Sequence, residues 1–145
     1  MNWIKEAESD LRRYRSLSES LSNIPEQLKY LEEKLQSVRS SWADSTPVQG
    51  GANRREDEQI NVIVKMDRLK QNYMAVKRLV DLMDGALSKL TKDEVNILNM
   101  AYINQNKKAI ELICEEYHVE RSRAYELRNI ALKKFTLKMY GIIDL

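Results

Sequence analysis

A heptad stripe of apolar residues occupies the middle of the chain and restricts it to a helical architecture. Between Val62 and Leu90 the apolar residues follow one another at alternating steps of four and three. This spacing places them along one helical face for about four heptads. We therefore expect a long, coiled-coil-like helix from about Glu56 to Leu87. The stripe consists of Val62, Met66, Leu69, Tyr73, Val76, Val80, Met83, Leu87 and Leu90.

Two shorter stripes precede this helix and could cover it. The first runs from Ile4 to Leu21 and the second from Leu28 to Trp42. We place a break at Ser22–Pro25, because proline cannot continue a helix but suits the first turn of the next one. The two helices then form an antiparallel N-terminal hairpin. They can cover the long stripe within the chain as a three-stranded coil, which we favour, or a second chain can cover it in a homodimer.

The composition predicts an all-α protein without a catalytic centre. The 145 residues include only four glycines and two prolines, and 32% are charged. A single cysteine, Cys114, and a single histidine, His118, exclude an internal disulfide and a zinc cluster, and fit a reducing cytoplasm. Since no activated nucleophile, acid–base pair or phosphate-binding loop is visible, we expect neither an enzyme nor a cofactor.

Neither a membrane partner nor export is expected. The first ten residues are mostly charged and polar, unlike the apolar centre of a signal peptide. No apolar run approaches the roughly 20 residues that cross a bilayer. We therefore expect a cytoplasmic protein.

Turn-forming residues divide the chain into two predicted regions. Residues 43–55 lack periodicity and contain Pro47, Gly50 and Gly51, which predicts a loop. Further on, Thr91 and Glu94 have the three-residue spacing of a capping box that opens a helix. We expect a helical, coiled-coil-like region at 1–88 and a separate domain at 89–145.

The second region has the spacing of a helix-turn-helix motif. Ile110, Ile113, Cys114 and Tyr117 share one helical face, and Ala124, Leu127 and Ala131 share another after a break around His118. His118 stands where such a turn often has glycine, and Glu120 stands where serine or threonine often caps the second helix. These two positions depart from the pattern without breaking it.

The outer face of the second helix could read DNA in the major groove. If Ala124, Leu127, Ala131 and Phe135 point inward, the opposite side carries Arg121, Ser122, Tyr125, Glu126 and Asn129. Arginine near the helix start can bind guanine, asparagine can pair with adenine, and glutamate can accept a bond from cytosine. Ser122 and Tyr125 could contact base edges or phosphates.

The charge of this segment points to double-stranded DNA as the partner. The whole chain has a net charge of only +2, but residues 121–138 contain six basic side chains and one acidic side chain. A local excess of this kind favours a polyanion. Lysines at the start of the preceding helix could add phosphate contacts. The expected phosphate contacts are Arg123, Arg128, Lys133, Lys134, Lys107 and Lys108.

The ordering of these residues resembles region 4 of the sigma-70 family. The similarity is carried by Leu90–Glu94, Ala101–Ile103, Ile113 with Cys114, and Ile130–Lys134. With its loop of Pro47, Gly50 and Gly51, nearly the whole chain is similar to small phage and prophage regulators of late transcription of the ArpU and RinA type. The resemblance implies a phage or prophage transcription regulator that acts at promoters, with RNA polymerase as a candidate partner.

An interaction protein is the alternative function. In that case the long helix recruits a protein partner, and the helix-turn-helix packing serves only the fold. Three acidic residues of the first motif helix, Glu111, Glu115 and Glu116, favour this alternative because they would repel DNA. Salt-dependent and sequence-selective DNA binding would separate the two functions.

Overall fold

All regular elements of the described residues are helices, which confirms the predicted all-α fold. The computed structural model describes residues 1–44 and 51–143. In these ranges no helix is long and apolar enough to cross a membrane. The elements are α1 (Trp3–Asp44), α2 (Gly51–Ser88), α3 (Lys92–Leu98) with a π-helical turn after it (Asn99–Ile103), α4 (Ala109–Tyr117) and α5 (Arg121–Tyr140).

The predicted break at Ser22–Pro25 is wrong, because α1 continues through Pro25. A proline inside a helix removes one backbone hydrogen bond and costs about 3 kcal/mol. The apolar stripe nevertheless stays in phase across it, since Ile24 is buried between the positions of Leu21 and Leu28. Burial of this continuous stripe offsets the cost, and Pro25 itself lies on the exposed side.

The loop predicted at 43–55 is wrong at both of its ends. Helix α1 includes Ala43 and Asp44, and α2 already begins at Gly51. These residues lack apolar periodicity, which predicted a loop. Several of them are Ala or Arg, which favour a helix without such periodicity. The remaining predicted loop residues, 45–50, lie outside the described residues, as does the side chain of Trp42.

The chain forms two compact units. One unit is Glu19–Lys77. In it, Leu31 and Leu35 of α1 form a core with Val62 and Met66 of α2, and Leu28 and Leu69 pack against this core. Val62, Met66 and Leu69 of the α2 stripe therefore pack against one helix of the same chain, α1, where we expected two.

The other unit combines Met1–Ser18 with Arg78–Leu145. This division differs from the boundary expected between residues 88 and 89, because both long helices contribute to the core beneath the C-terminal helices. The fully buried residues of this core include Ala7 and Leu11 of α1, Met83 of α2, Leu98 of α3, Ile113 of α4, and Ala124, Ala131 and Phe135 of α5.

Polar and aromatic contacts attach the end of α5 to the start of α1. The Tyr140 hydroxyl donates a hydrogen bond to Asp10, which is buried. The same carboxylate accepts a bond of 3.0 Å from Arg13. The ring centroids of Trp3 and Tyr140 lie 4.9 Å apart. The Trp3 backbone N–H donates a hydrogen bond of 3.1 Å to the Ile143 carbonyl. Trp3 thus packs within the fold.

Candidate nucleic-acid interface

Helix α3 begins at the predicted cap. Thr91 has extended backbone angles, and its Oγ1 accepts a hydrogen bond of 3.2 Å from the Glu94 backbone N–H. The Thr91 hydroxyl in turn donates to Glu94 Oε1 at 2.9 Å. Thr91 and Glu94 are therefore joined by two hydrogen bonds, which fix the start of α3.

The predicted turn between the motif helices is present at His118. Helix α4 ends at Tyr117, and His118 adopts a left-handed backbone with φ 52° and ψ 50°. The Val119 backbone N–H donates to the Cys114 carbonyl at 3.2 Å, which closes the helix end. Glu120 occupies the cap position of α5, but its side chain makes no capping hydrogen bond. A helix, a three-residue turn and a second helix thus follow in the order of a helix-turn-helix motif.

The inward faces of α4 and α5 are those that the spacing predicted. Ile113, Ala124, Ala131 and Phe135 have no exposed surface. Leu127 is half-buried and packs against the same core. Complete burial of the two alanines lets α5 approach its neighbours closely, so the opposite side of α5 is left to face solvent.

The proposed base-reading side chains all lie on that solvent face. Arg121, Ser122, Tyr125, Glu126 and Asn129 are exposed along the first half of α5. A hydrogen bond with Tyr125, followed by electrostatic attraction to the same side chain, raises the pKa of Arg121. The Arg121 guanidinium therefore lies beside the Tyr125 side chain at the start of the helix.

Arg123 is paired within α5. Its Nη1 lies 2.9 Å from Glu126 Oε2, and about half or more of each side chain is exposed. An exposed ion pair of this kind contributes only about 0–1 kcal/mol. Arg123 can therefore leave Glu126 at little cost when a phosphate is near.

Arg128 lies in a different environment from the one expected for a phosphate contact. The residue is half-buried, its Nε is buried without a hydrogen-bond partner, and its guanidinium lies 5.0 Å from the centre of the Tyr125 ring. The helical register explains this, because position 128 lies one turn from the buried Ala124 and Leu132. Arg128 thus packs over the Tyr125 ring.

Lys133 and Lys134 differ in their surroundings although they are neighbours. Lys134 Nζ lies 3.2 Å from Glu94 Oε1, which joins α5 to α3. Burial of Glu94 opposes its ionisation, but hydrogen bonds from Thr91 and Lys134 and the lysine charge outweigh burial and lower its pKa. Both lysines are exposed, but Lys134 is held by α3 through Glu94 and thus contributes to the fold.

The two lysines before α4 stand at the expected place. Lys107 and Lys108 are exposed, and α4 begins at the next residue, Ala109. The Lys108 backbone N–H donates to Asn106 Oδ1 at 2.9 Å. These charges lie beside the positive end of the α4 dipole, where an anion is favoured.

Several residues of this region were missed from the sequence. The Asn96 amide donates to Glu116 at 2.8 Å and to the Tyr117 hydroxyl at 2.9 Å, which links α3 to the end of α4. Arg12 of α1 lies beside the connection between the π-helical turn and α4, where the Gln105 side chain donates to its carbonyl at 3.0 Å. The sequence signal for Arg12 is the basic run at residues 12–15, which the predicted boundary places in the other region.

The described residues contain no group of three His, Cys, Asp or Glu side chains that could hold a metal ion. Cys114 is a free, half-buried thiol that packs against the core of the motif. The chemistry of this surface is therefore that of charged, amide and aromatic groups, which suits contacts to phosphates and base edges.

Comparison with known proteins gives a family and no close relative. Neither the curated proteins nor the solved structures contain a match to the chain. One family model matches residues 36–136, a range that contains α2, α3, α4 and most of α5. Since this match covers more than half of the chain, the protein belongs to the family described as a protein of unknown function, DUF1492.

Proposed function

We propose that the protein is a sequence-specific DNA-binding regulator of transcription, in which α5 lies in the major groove. The observation that carries the proposal is the polar, exposed face of α5 after a three-residue turn. This face is held rigidly because the opposite side of the helix is buried at Ala124, Ala131 and Phe135. A helix supported in this way can present the same side chains to every binding site.

Arg121, Ser122, Tyr125 and Asn129 read the bases. All four side chains are exposed on the first half of α5. Arg121 binds guanine acceptors and Asn129 pairs with adenine, whereas Ser122 and Tyr125 contact base edges or nearby phosphates. Arg128 acts indirectly, because its guanidinium supports the Tyr125 ring.

Lys107, Lys108, Arg123 and Lys133 hold the phosphates. The first two precede α4 and the others lie on the exposed surface of α5. Contacts of this kind fix the orientation of the protein on the duplex without reading sequence. Glu126 either accepts a bond from a cytosine or keeps Arg123 in place when no DNA is bound.

The similarity to sigma-70 region 4 extends the proposal to promoters. On this basis the protein works in the cytoplasm, and RNA polymerase is a second partner. A single asymmetric site would fit a monomer beside polymerase, whereas a palindromic site would indicate a homodimer.

Selection of binding sites from a random DNA pool tests the proposal. We expect one sequence to be enriched, and we expect Arg121→Ala to reduce the preference for that sequence over a scrambled duplex by about tenfold. Arg68→Ala, at an exposed arginine of α2, is the matched control and should keep the full preference. Failure to enrich any sequence, or full preference in Arg121→Ala, would overturn the proposed role of α5.

An adaptor function is the second candidate, and exposed apolar residues of α2 favour it. Ile60, Ile63 and Val64, all in the unit Glu19–Lys77, are 57%, 39% and 41% exposed. Ile63 and Val64 lie three and four residues after Ile60, so the three side chains form one exposed apolar patch, which is suited to a protein partner. This function predicts that the DNA selection enriches no sequence, while the same chain binds a protein partner through α2.

A further inference from the structure

The N-terminal helix contributes Arg12 to the surface around the helix-turn-helix motif. Arg12 belongs to the same compact unit as α3, α4 and α5. Its carbonyl accepts the bond from Gln105, and its guanidinium lies 6.0 Å from the centre of the Tyr102 ring. Gln105 has a left-handed backbone, φ 49°, at the point where its side chain reaches α1. These contacts fix Arg12 beside the segment that leads to Lys107 and Lys108.

The charge of an arginine on α5 also acts on Tyr102. Tyr102 is buried, and this burial raises its pKa. The positive charges of Arg128 and Arg12 act in the opposite direction. Arg128 in turn lies over Tyr125 on the exposed face of α5. Arg12 thus lies beside Tyr102, and it belongs to the same compact unit as the proposed base-reading surface of α5.

The charge of Arg12 is only weakly neutralised within the protein. Arg12 pairs with Glu8 at a distance of 3.9 Å, and 55% of its side chain is exposed. The adjacent Arg13 differs, because it lies 3.0 Å from a carboxylate, that of Asp10, which is only 9% exposed. The two neighbouring arginines are thus nearly equally exposed but differently paired. Arg13 forms a short ion pair with a buried carboxylate, whereas Arg12 forms a long one with a more exposed carboxylate.

We propose that Arg12 binds a DNA phosphate, so that α1 extends the DNA-binding surface beyond the helix-turn-helix motif. This inference rests on the proposed function. A phosphate bound by Arg12 would lie next to those bound by Lys107 and Lys108. Such a contact adds affinity and orientation, but it reads no base.

The test compares the salt dependence of DNA binding for the full chain and for Arg12→Gln. Each phosphate contact makes the slope of log K against log salt more negative by about 0.9 on duplex DNA. We expect Arg12→Gln to make the slope less negative by about one and to weaken binding about three- to tenfold near 0.15 M salt, equally for the selected and a scrambled duplex. Arg12→Lys keeps the charge and should retain the slope.

Arg13→Gln is the matched control. It removes the same charge one residue away, and we expect it to lower the melting temperature while leaving the salt slope unchanged. Circular dichroism melting of each variant separates lost stability from lost contact. If the wild-type chain binds DNA and Arg12→Gln keeps its slope, the Arg12 inference alone fails. If the wild-type chain binds no DNA, the proposed function fails as well.

Discussion

Replacing His118 by glycine should stabilise the protein, although the substitution removes a whole side chain. His118 has φ 52° and ψ 50°, and its side chain is exposed. A left-handed backbone costs a residue with a Cβ about 1–2 kcal/mol, and somewhat less for histidine. Glycine avoids this cost but loses about 0.5–1 kcal/mol through its greater freedom in the unfolded chain. We therefore expect a net gain of about 0.5 kcal/mol in the free energy of unfolding.

His118→Ala is the matched control, because alanine keeps the Cβ and should be less stable than the wild type. The two variants should differ by about 1 kcal/mol, or about 3 °C in melting temperature for a chain of this length. Glu115→Gly, at an exposed right-handed position of α4, should instead cost about 1 kcal/mol. Urea unfolding followed by circular dichroism measures all three. If His118→Gly is no more stable than His118→Ala, the chain does not turn at His118 as described.

Three further predictions concern α5 and its attachment to α3. Lys134→Ala should lower the melting temperature with little effect on the salt slope of DNA binding, whereas Lys133→Ala should do the reverse; equal effects would contradict their assigned roles. Burial opposes ionisation of Glu94, but hydrogen bonds and the charge of Lys134 lower its pKa below the ordinary 4.5. Ionised Glu94 therefore stabilises the fold above that pH, and this stabilisation is lost as the pH falls through the lower pKa of the folded state. In urea titrations Glu94→Gln should therefore be less stable than the wild type at neutral pH, with the difference shrinking in acid; a constant difference would argue against the ion pair. Phe135→Ala should cost about 3–5 kcal/mol because the ring is fully buried, whereas Leu137→Ala, at a 45% exposed position, should stay within about 0.5 kcal/mol in the same assay.

The helices of the fold follow from apolar spacing, and the errors have identifiable causes. The local preference of Pro25 predicts a break, but α1 continues because the buried Ile24 keeps the apolar stripe in phase. A continuous stripe is a tertiary constraint, and it overrides a single unfavourable residue. The domain division could not be read from spacing at all, because periodicity identifies a buried face but not the element that covers it.

The turn and the exposed face of the candidate site were also predictable. Both depend on local geometry, since His118 ends one helix and the register of Ala124 and Ala131 fixes the outer side of the next. The partners of the long basic side chains were not predictable. Whether Lys134 binds Glu94 or Arg12 lies beside the Tyr102 ring depends on how separate helices pack, and a single sequence does not contain those distances.

The composition of the unit that contains the motif constrains the order of folding. Met1–Ser18 is synthesised before α3, α4 and α5, yet its apolar residues pack against these later helices. The segment Glu19–Lys77 contains both halves of its own core and can pair while the later helices are still being made. On the ribosome α5 therefore packs onto residues made long before it, so that a product terminated before α5 would leave this core incomplete.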